Sequence, residues 1–382
     1  MTDVSPFCFP PSGQRLLLPL PPGSADALLI ADLLRAPSKS QEQTAAPARQ
    51  RLLVLTATAA DAQRLANEIP WFAPDLSVGL FPDWETLPYD PISPHPDLVS
   101  ERLATLWRCL QGEMDCLIAP VATAMQRLAP TAFLSGQAFL YKPKDRLDAD
   151  ALRSRLIAAG YCAVSQVYTP GEFALRGGVF DLFPTGSALP YRIELFDDEI
   201  ESIRTFDPDT QRTLYKVGEM RLLPAREFPL DESGISTFRA NFRDRFEGDP
   251  ARSRMYKDVS NKLAPAGIEY ALPLFFNATA SLFDYLPAGV GVLLHGNAHR
   301  AAETFWHEAG QRYQLLSGDR EHPLLPPTEV FLAVEQLFAA LQSLPRIELT
   351  ETLATAPELP WQPAPAVQAE RRDAVPYARL AA

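Results

Sequence analysis

Three runs in this chain have the make-up of strands buried on both faces, and they constrain the fold more than any other feature. They are Arg51-Leu-Leu-Val-Leu-Thr56, Asp115-Cys-Leu-Ile-Ala119 and Val290 to His295. A short apolar run of this kind, without alternation, marks a strand in a parallel sheet covered by helices. Helix-like segments accompany them. Ala59 to Ile69 sets Ala62, Leu65 and Ile69 on one face, and Asp97 to Leu110 sets Leu98, Arg102 and Leu106 in helical spacing. The same alternation extends to strands at Arg15–Leu20, Leu76–Phe81 and Arg346–Leu349, and to helices at Ala25–Arg35, Ala122–Leu128, Ala298–Leu315 and Val330–Leu341. Strand and helix in turn mean βαβ units.

Between Leu128 and Gly218 the alternation stops. A helix over Ala149 to Ala159 ends at Gly160, and strands then follow without helices: Val164–Tyr168, Phe173–Phe183, Tyr191–Phe196 and Glu199–Phe206. The link Asp197-Asp198 is short enough to make the last two a hairpin. The expected fold class is therefore α/β. A parallel-sheet domain, 1–128 and 219–350, is split in sequence by an inserted α+β domain with an antiparallel sheet at 129–218. The Pro- and Ala-rich stretch 351–382 reads as a linker, Ala36 to Gln50 as a loop, and Pro82 to Pro96, dense in proline and aromatics, as an ordered irregular loop.

Composition narrows the function. The formal charge is −12, which disfavours broad nucleic-acid binding. A basic helix over Gly234–Phe246 carries Arg239, Arg243 and Arg245, followed by Arg252, Arg254 and Lys257, but acids are interleaved with them; a DNA-binding surface there is an alternative reading. Four cysteines lack any C-x-x-C pair, and no apolar stretch reaches the roughly 18 residues of a membrane span. A cytoplasmic protein without a membrane partner is expected.

Catalytic chemistry is missing at the places where such a fold would carry it. After the first strand a P-loop needs glycines, a Lys and a Ser/Thr; this chain has Pro19-Leu-Pro-Pro-Gly-Ser-Ala-Asp26. The strand Asp115–Ala119 ends on Ala119-Pro120 rather than on carboxylates that could hold magnesium. No H-E-x-x-H or G-x-S-x-G motif occurs, and His295 and His299 lack a third ligand. No catalytic residue, cofactor site or metal site is expected in this chain, although a divergent nucleotide hydrolase stays as an alternative. What stands out instead is Tyr191-Arg-Ile-Glu-Leu-Phe196. With a period of two, Ile193 and Leu195 face the core while Arg192, Glu194 and Phe196 share the other face. Arg176 comes from the neighbouring strand, with Gly177 and Gly178 opening that face or forming a bulge. Arginines beside an exposed aromatic have the composition of a protein–protein hot spot.

Several motifs carry a resemblance. They are Asp83-Trp-Glu-Thr-Leu-Pro-Tyr-Asp90 with Ser93-Pro-His95, Gly177 through Pro184, Pro190 through Ile200, Phe206-Asp207 with Gln211-Arg212-Thr213, Leu222-Leu223-Pro224-Ala225, and Pro265-Ala-Gly-Ile-Glu-Tyr270. In these the chain resembles the N-terminal region of the bacterial transcription-repair coupling factors, which is itself similar to the excision-repair protein UvrB. The resemblance implies a degenerate RecA/P-loop-like domain and an inserted domain that binds UvrA through Arg176, Arg192, Glu194 and Phe196. It implies that ATP and magnesium, RNA polymerase and duplex DNA are engaged by other domains of the parent protein. The UvrB-like pattern often has an Arg where Ala174 stands here. On this reading, alanine at Arg192 or Phe196 should abolish UvrA binding with little loss of stability.

Overall fold

The computed structural model describes residues 8–36, 50–319 and 321–351. The expected linker 351–382, apart from Glu351, and the interior of the loop 36–50 lie outside them. Along the chain run β1 (Arg15–Pro19), α1 (Ala25–Arg35), β2 (Leu52–Thr56), α2 (Ala59–Phe72), β3 (Val78–Leu80), α3 (Pro96–Leu110), β4 (Cys116–Pro120), α4 (Val121–Ala124) and α5 (Thr131–Gly136). Then come β5 (Phe139–Tyr141), α6 (Ala149–Ala158), β6 (Cys162–Ala163), β7 (Glu172–Arg176), β8 (Val179–Leu182), β9 (Tyr191–Phe196), β10 (Glu199–Phe206), β11 (Thr213–Lys216) and β12 (Met220–Leu222). The chain closes with α7 (Glu232–Arg245), α8 (Arg254–Ser260), β13 (Gly291–His295), α9 (Ala298–Leu316), α10 (Pro327–Val330), α11 (Val334–Gln342) and β14 (Arg346–Thr350).

The buried runs do what their composition requires. They form one parallel sheet in the order β1-β14-β13-β2-β4-β3. Its strands come from both ends of the described chain, and β2, β4 and β13 are buried along their whole length. Leu53 and Leu55 pack into the core on one side, while Leu52 and Val54 pack on the other, against Ala62, Leu65 and Ile69 of α2. The second sheet, β11-β10-β9-β8-β7-β6, is antiparallel except for the β6–β7 pair. The chain enters and leaves that region through β5 and β12, which pair antiparallel.

Four segments differ from expectation. The helix expected over Ala122–Leu128 ends at Ala124, and Gln126 and Leu128 instead bridge to Phe331 and Ala280. Phe173–Phe183 is not one strand: Arg176 pairs with Val179, so Gly177-Gly178 is a two-residue hairpin turn rather than a bulge. Gly177 has φ +58°, which favours glycine there. Val164–Tyr168 is not a strand beyond Cys162–Ala163; it turns Val167 inward onto Ala174, Phe183 and Phe206 and so covers part of the second face. The helix Val330–Leu341 is broken at Phe331–Ala333, because Leu332 N–H donates to the Met125 carbonyl (2.7 Å) and the Val330 carbonyl accepts from Arg127 N–H (3.0 Å).

The proline-rich loop after β3 is ordered by aromatic packing. Trp84 meets Tyr270 edge-on at 5.4 Å, Tyr89 donates to the Leu325 carbonyl (3.0 Å) and Tyr270 donates to the Leu87 carbonyl (2.8 Å). Two stretches far apart in sequence meet here. Ser93 Oγ donates to Glu269 Oε2 (2.9 Å) and accepts from Gly267 N–H (3.1 Å). Gly267, at φ +77°, lies so close to Asp90 that a Cβ would stand 2.6 Å from its carbonyl oxygen.

Burial pushes the Glu269 carboxyl up to about 7, against the lowering effect of its backbone and Ser93 hydrogen bonds. In the unfolded chain it titrates near 4.5. Between these values the folded state binds the proton and the unfolded state does not, so stability falls as pH rises through that window. Glu269→Gln should therefore stabilise the chain above pH 7 by on the order of 2 kcal/mol. It should change little below pH 4.5, the ordinary value for this group. Urea midpoints of the two proteins across pH test this; a constant offset at all pH values would show that titration is not the cause.

Candidate protein-docking face

Register places the expected residues on one face of the second sheet. In β8–β9, Asp181 pairs with Arg192 and Val179 with Glu194; in β7–β8, Arg176 pairs with Val179 and Ala174 with Asp181. Directly opposed residues in a sheet share a face. Arg176 and Glu194 thus lie in one row, Ala174, Asp181 and Arg192 in the next, and β10 extends these rows with Ser202 and Arg204. Ile193 is fully buried on the opposite face, against Phe173, Phe180 and Leu182.

The residues are not equally available. Phe196 closes β9 at a two-residue turn whose Asp197 has φ +53°, and the residue is 72% exposed. Arg176 has a side chain 58% exposed. Arg192 is only 21% exposed at the side chain. Its Nε and Nη2 donate to the two oxygens of Asp181 (2.7 and 2.9 Å), its Nη1 donates to the Gln211 carbonyl (3.2 Å), and its guanidinium lies 4.8 Å from the Phe206 ring centroid. The hydrogen bonds to Asp181 raise the Arg192 pKa above its ordinary value. Glu194 accepts a short hydrogen bond from Ser202 Oγ, and Arg204 Nε stands 3.6 Å from the same carboxylate.

Sequence reasoning missed Asp181 and Arg204. Asp181 was findable, since pairing β8 with β9 opposes an acid to Arg192; Arg204 was not, because simple alternation from core-facing Ile200 would turn it inward, and the bulge between Ile200 and Ser202 reverses the phase. Ala174 is 3% exposed and packs against Val167, Phe183 and Phe206, so its methyl is part of a small core. The expectation that Arg192→Ala is harmless to folding does not survive. That substitution would leave the buried Asp181 carboxylate with Arg176 at 4.0 Å as its nearest cation, and unpairing a buried charge is destabilising.

The carboxyl-terminal edge of the parallel sheet, where open α/β folds bind ligands, has a cleft of about 580 Å³ bordered by Gly23, Thr58 and Asn297. Asp26, in the first turn of α1, borders this cleft. Its carboxylate accepts from Arg64 at both oxygens (3.1 and 2.6 Å) and lies 2.8 Å from His295 Nε2. Burial alone would raise this carboxyl, but the His295 and Arg64 hydrogen bonds outweigh it and hold it at about 2. It is therefore ionised at neutral pH. Arg64 is further claimed by Glu68 (2.9 Å), so among the described residues the lining of the cleft has no arginine free of an acidic partner to offer a phosphate.

Four of the six cations of the basic segment have partners within the chain, whereas Arg252 and Lys257 are exposed. Arg239 donates to Ser260, Arg243 to Tyr256, Arg245 pairs with Glu329 at 2.7 Å, and Arg254 with Asp258 at 3.5 Å. None of the four cysteines forms a disulfide. Among the described residues no cluster suited to a metal ion occurs, and no helix is long and apolar enough to cross a membrane.

The segment that carries this face has a recognisable relation. Residues 141–228 match the family described as the UvrB interaction domain. The chain is 43% identical over 346 residues to the transcription-repair-coupling factor of Escherichia coli, covering 90% of this chain and 29% of that protein. Over 90% of its own length the chain is thus similar to the transcription-repair-coupling factor family. A second member, from Haemophilus influenzae, is 42% identical over 88% of the chain, and one from Bacillus subtilis is 29% identical over 64%. All the residues of the outward face, from Arg176 to Arg204, fall inside the domain match. The chain spans less than a third of the length of these family members: 29, 28 and 22%.

Proposed function

We propose that this chain is the UvrA-recruiting, UvrB-mimicking part of a transcription-coupled repair factor, and that it docks UvrA through Arg176, Arg192, Glu194 and Phe196. The observation that carries this reading is their convergence on one face within the UvrB interaction domain. On this reading the parent protein releases RNA polymerase stalled at DNA lesions, acts on duplex DNA in the cytoplasm, and uses ATP and magnesium in domains beyond this region. The parallel sheet is read as a degenerate RecA-like domain, split at 1–128 and 219–350, with 129–218 inserted and 351–382 leading to further domains. Pairing of β5 with β12 supports an insert that closes a few residues later, after Leu222. The ionised Asp26 speaks against a nucleotide hydrolase, and the pairing of Arg239, Arg243 and Arg245 leaves fewer cations for a DNA-binding surface there.

Mimicry makes a direct prediction. The 382-residue chain should bind purified UvrA, and excess UvrB should displace it, because both present the same surface. A ternary complex with UvrB bound at undiminished occupancy would sink the mimicry reading.

A further inference from the structure

Asp181 sits at the centre of the outward face and is itself 3% exposed, too buried to meet a partner. Its two oxygens take the Nε–Nη2 edge of Arg192, and the Nη2 of Arg176 lies 4.0 Å from Oδ2. A guanidinium has five N–H donors. Arg192 commits three of them, two to Asp181 and one to the Gln211 carbonyl, which leaves two for a partner. Its plane is fixed as well, over the Phe206 ring. Arg192 has thus given up its rotamer freedom on folding rather than on binding, the condition under which a contact contributes most to affinity.

We propose that Asp181 is the positioning residue of the docking face. It touches no partner, but it orients Arg192 and Arg176 so that their uncommitted N–H groups meet a carboxylate-bearing surface on UvrA. The inference rests on the docking reading above. Glu194 is held as well, by Ser202 and beside Arg204, but its side chain is 38% exposed, so unlike Asp181 it can itself meet a partner.

The sign of one substitution separates positioning from simple charge. Asp181→Asn keeps the shape and removes a negative charge. If Asp181 only diluted the positive face, this variant would bind an acidic surface more tightly; a positioning residue requires the opposite. Calorimetric titration of the 382-residue chain with purified UvrA should show Asp181→Asn weakened about tenfold, and less than about twofold further loss when Asp181→Asn is added to Arg192→Ala. Circular dichroism of every variant at the titration temperature checks that each is folded. Arg192→Lys provides a second arm that leaves Asp181 its counter-ion. It should also weaken binding, because an ammonium cannot be held as a fork. Undiminished affinity of either Asp181→Asn or Arg192→Lys overturns the proposal, as does an equal Asp181→Asn effect with and without Arg192. Phe196→Ala runs beside them. If it too binds normally, the docking reading itself has failed; if it alone weakens binding, only the role of Asp181 has.

Discussion

Phe196→Ala should cut affinity for UvrA by about 30-fold or more, the loss expected of an aromatic hot spot worth about 2 kcal/mol. It should leave folding stability within about 0.5 kcal/mol of the parent, as substitutions at exposed positions usually do. The residue is 72% exposed and lies outside the clusters of buried side chains. Its backbone pairing with Glu199 does not depend on the side chain. Removing it takes away contact area that only a partner could cover. Arg192→Ala is a poorer probe of the same surface, because it removes a contact and unpairs Asp181 at once. Titration of UvrA and a thermal melt on the same preparation separate the two effects. Wild-type affinity in the alanine variant would remove Phe196 from the interface. A melting temperature that falls in step with affinity would make the ring a folding element instead.

Much of this face is legible in the sequence. Alternation in Tyr191–Phe196 assigns Ile193 inward and Arg192, Glu194 and Phe196 outward, and the short Asp197-Asp198 link dictates the hairpin; β9 and β10 have the expected bounds. The apolar runs likewise lead to the parallel sheet, because strands buried on both faces leave little choice. The failures share a cause, which is pairing between distant segments. The apolar pattern of Phe173–Phe183 continues on both sides of Gly177-Gly178, so only the register distinguishes a turn from a bulge. Helical periodicity continues through Phe331–Ala333, while the hydrogen bonds that break the helix come from Met125 and Arg127, some 200 residues earlier. Asp181 is legible by the same alternation: it lies between Phe180 and Leu182, two core residues, and therefore faces the side of Arg192.

Arg102 shows the same limit, and it carries the largest expected effect on stability. In the sequence it is an arginine out of place, spaced with Leu98 and Leu106 on an otherwise apolar helix face. In the structure it is fully buried. Its Nε donates to Glu227 Oε1 (2.6 Å), its Nη1 donates to the Pro82 carbonyl (2.8 Å), and its guanidinium lies 4.3 Å from the Phe81 ring centroid and 5.0 Å from that of Trp84. One side chain therefore joins α3, the loop after β3 and the chain that returns from the second sheet. Arg102→Ala should destabilise the protein by about 3–5 kcal/mol, because it leaves the Glu227 carboxylate buried without its cation. Glu227→Ala should cost a similar amount for the mirror reason. The pair itself is worth less than either number suggests, since bringing both charges out of water offsets most of their attraction. Arg102→Met combined with Glu227→Met should thus cost clearly less than the sum of the two alanine variants, and less than either alone if the methionines fill the space. Urea midpoints of the three proteins measure this. Additive losses in the double variant would mean that the two side chains stabilise the fold through separate contacts, with the arginine acting through Pro82 and the two rings. UvrA binding by the folded double variant should persist, because Arg176, Arg192 and Phe196 are held within the second sheet by Asp181 and by β9–β10 pairing, and none of them touches this junction.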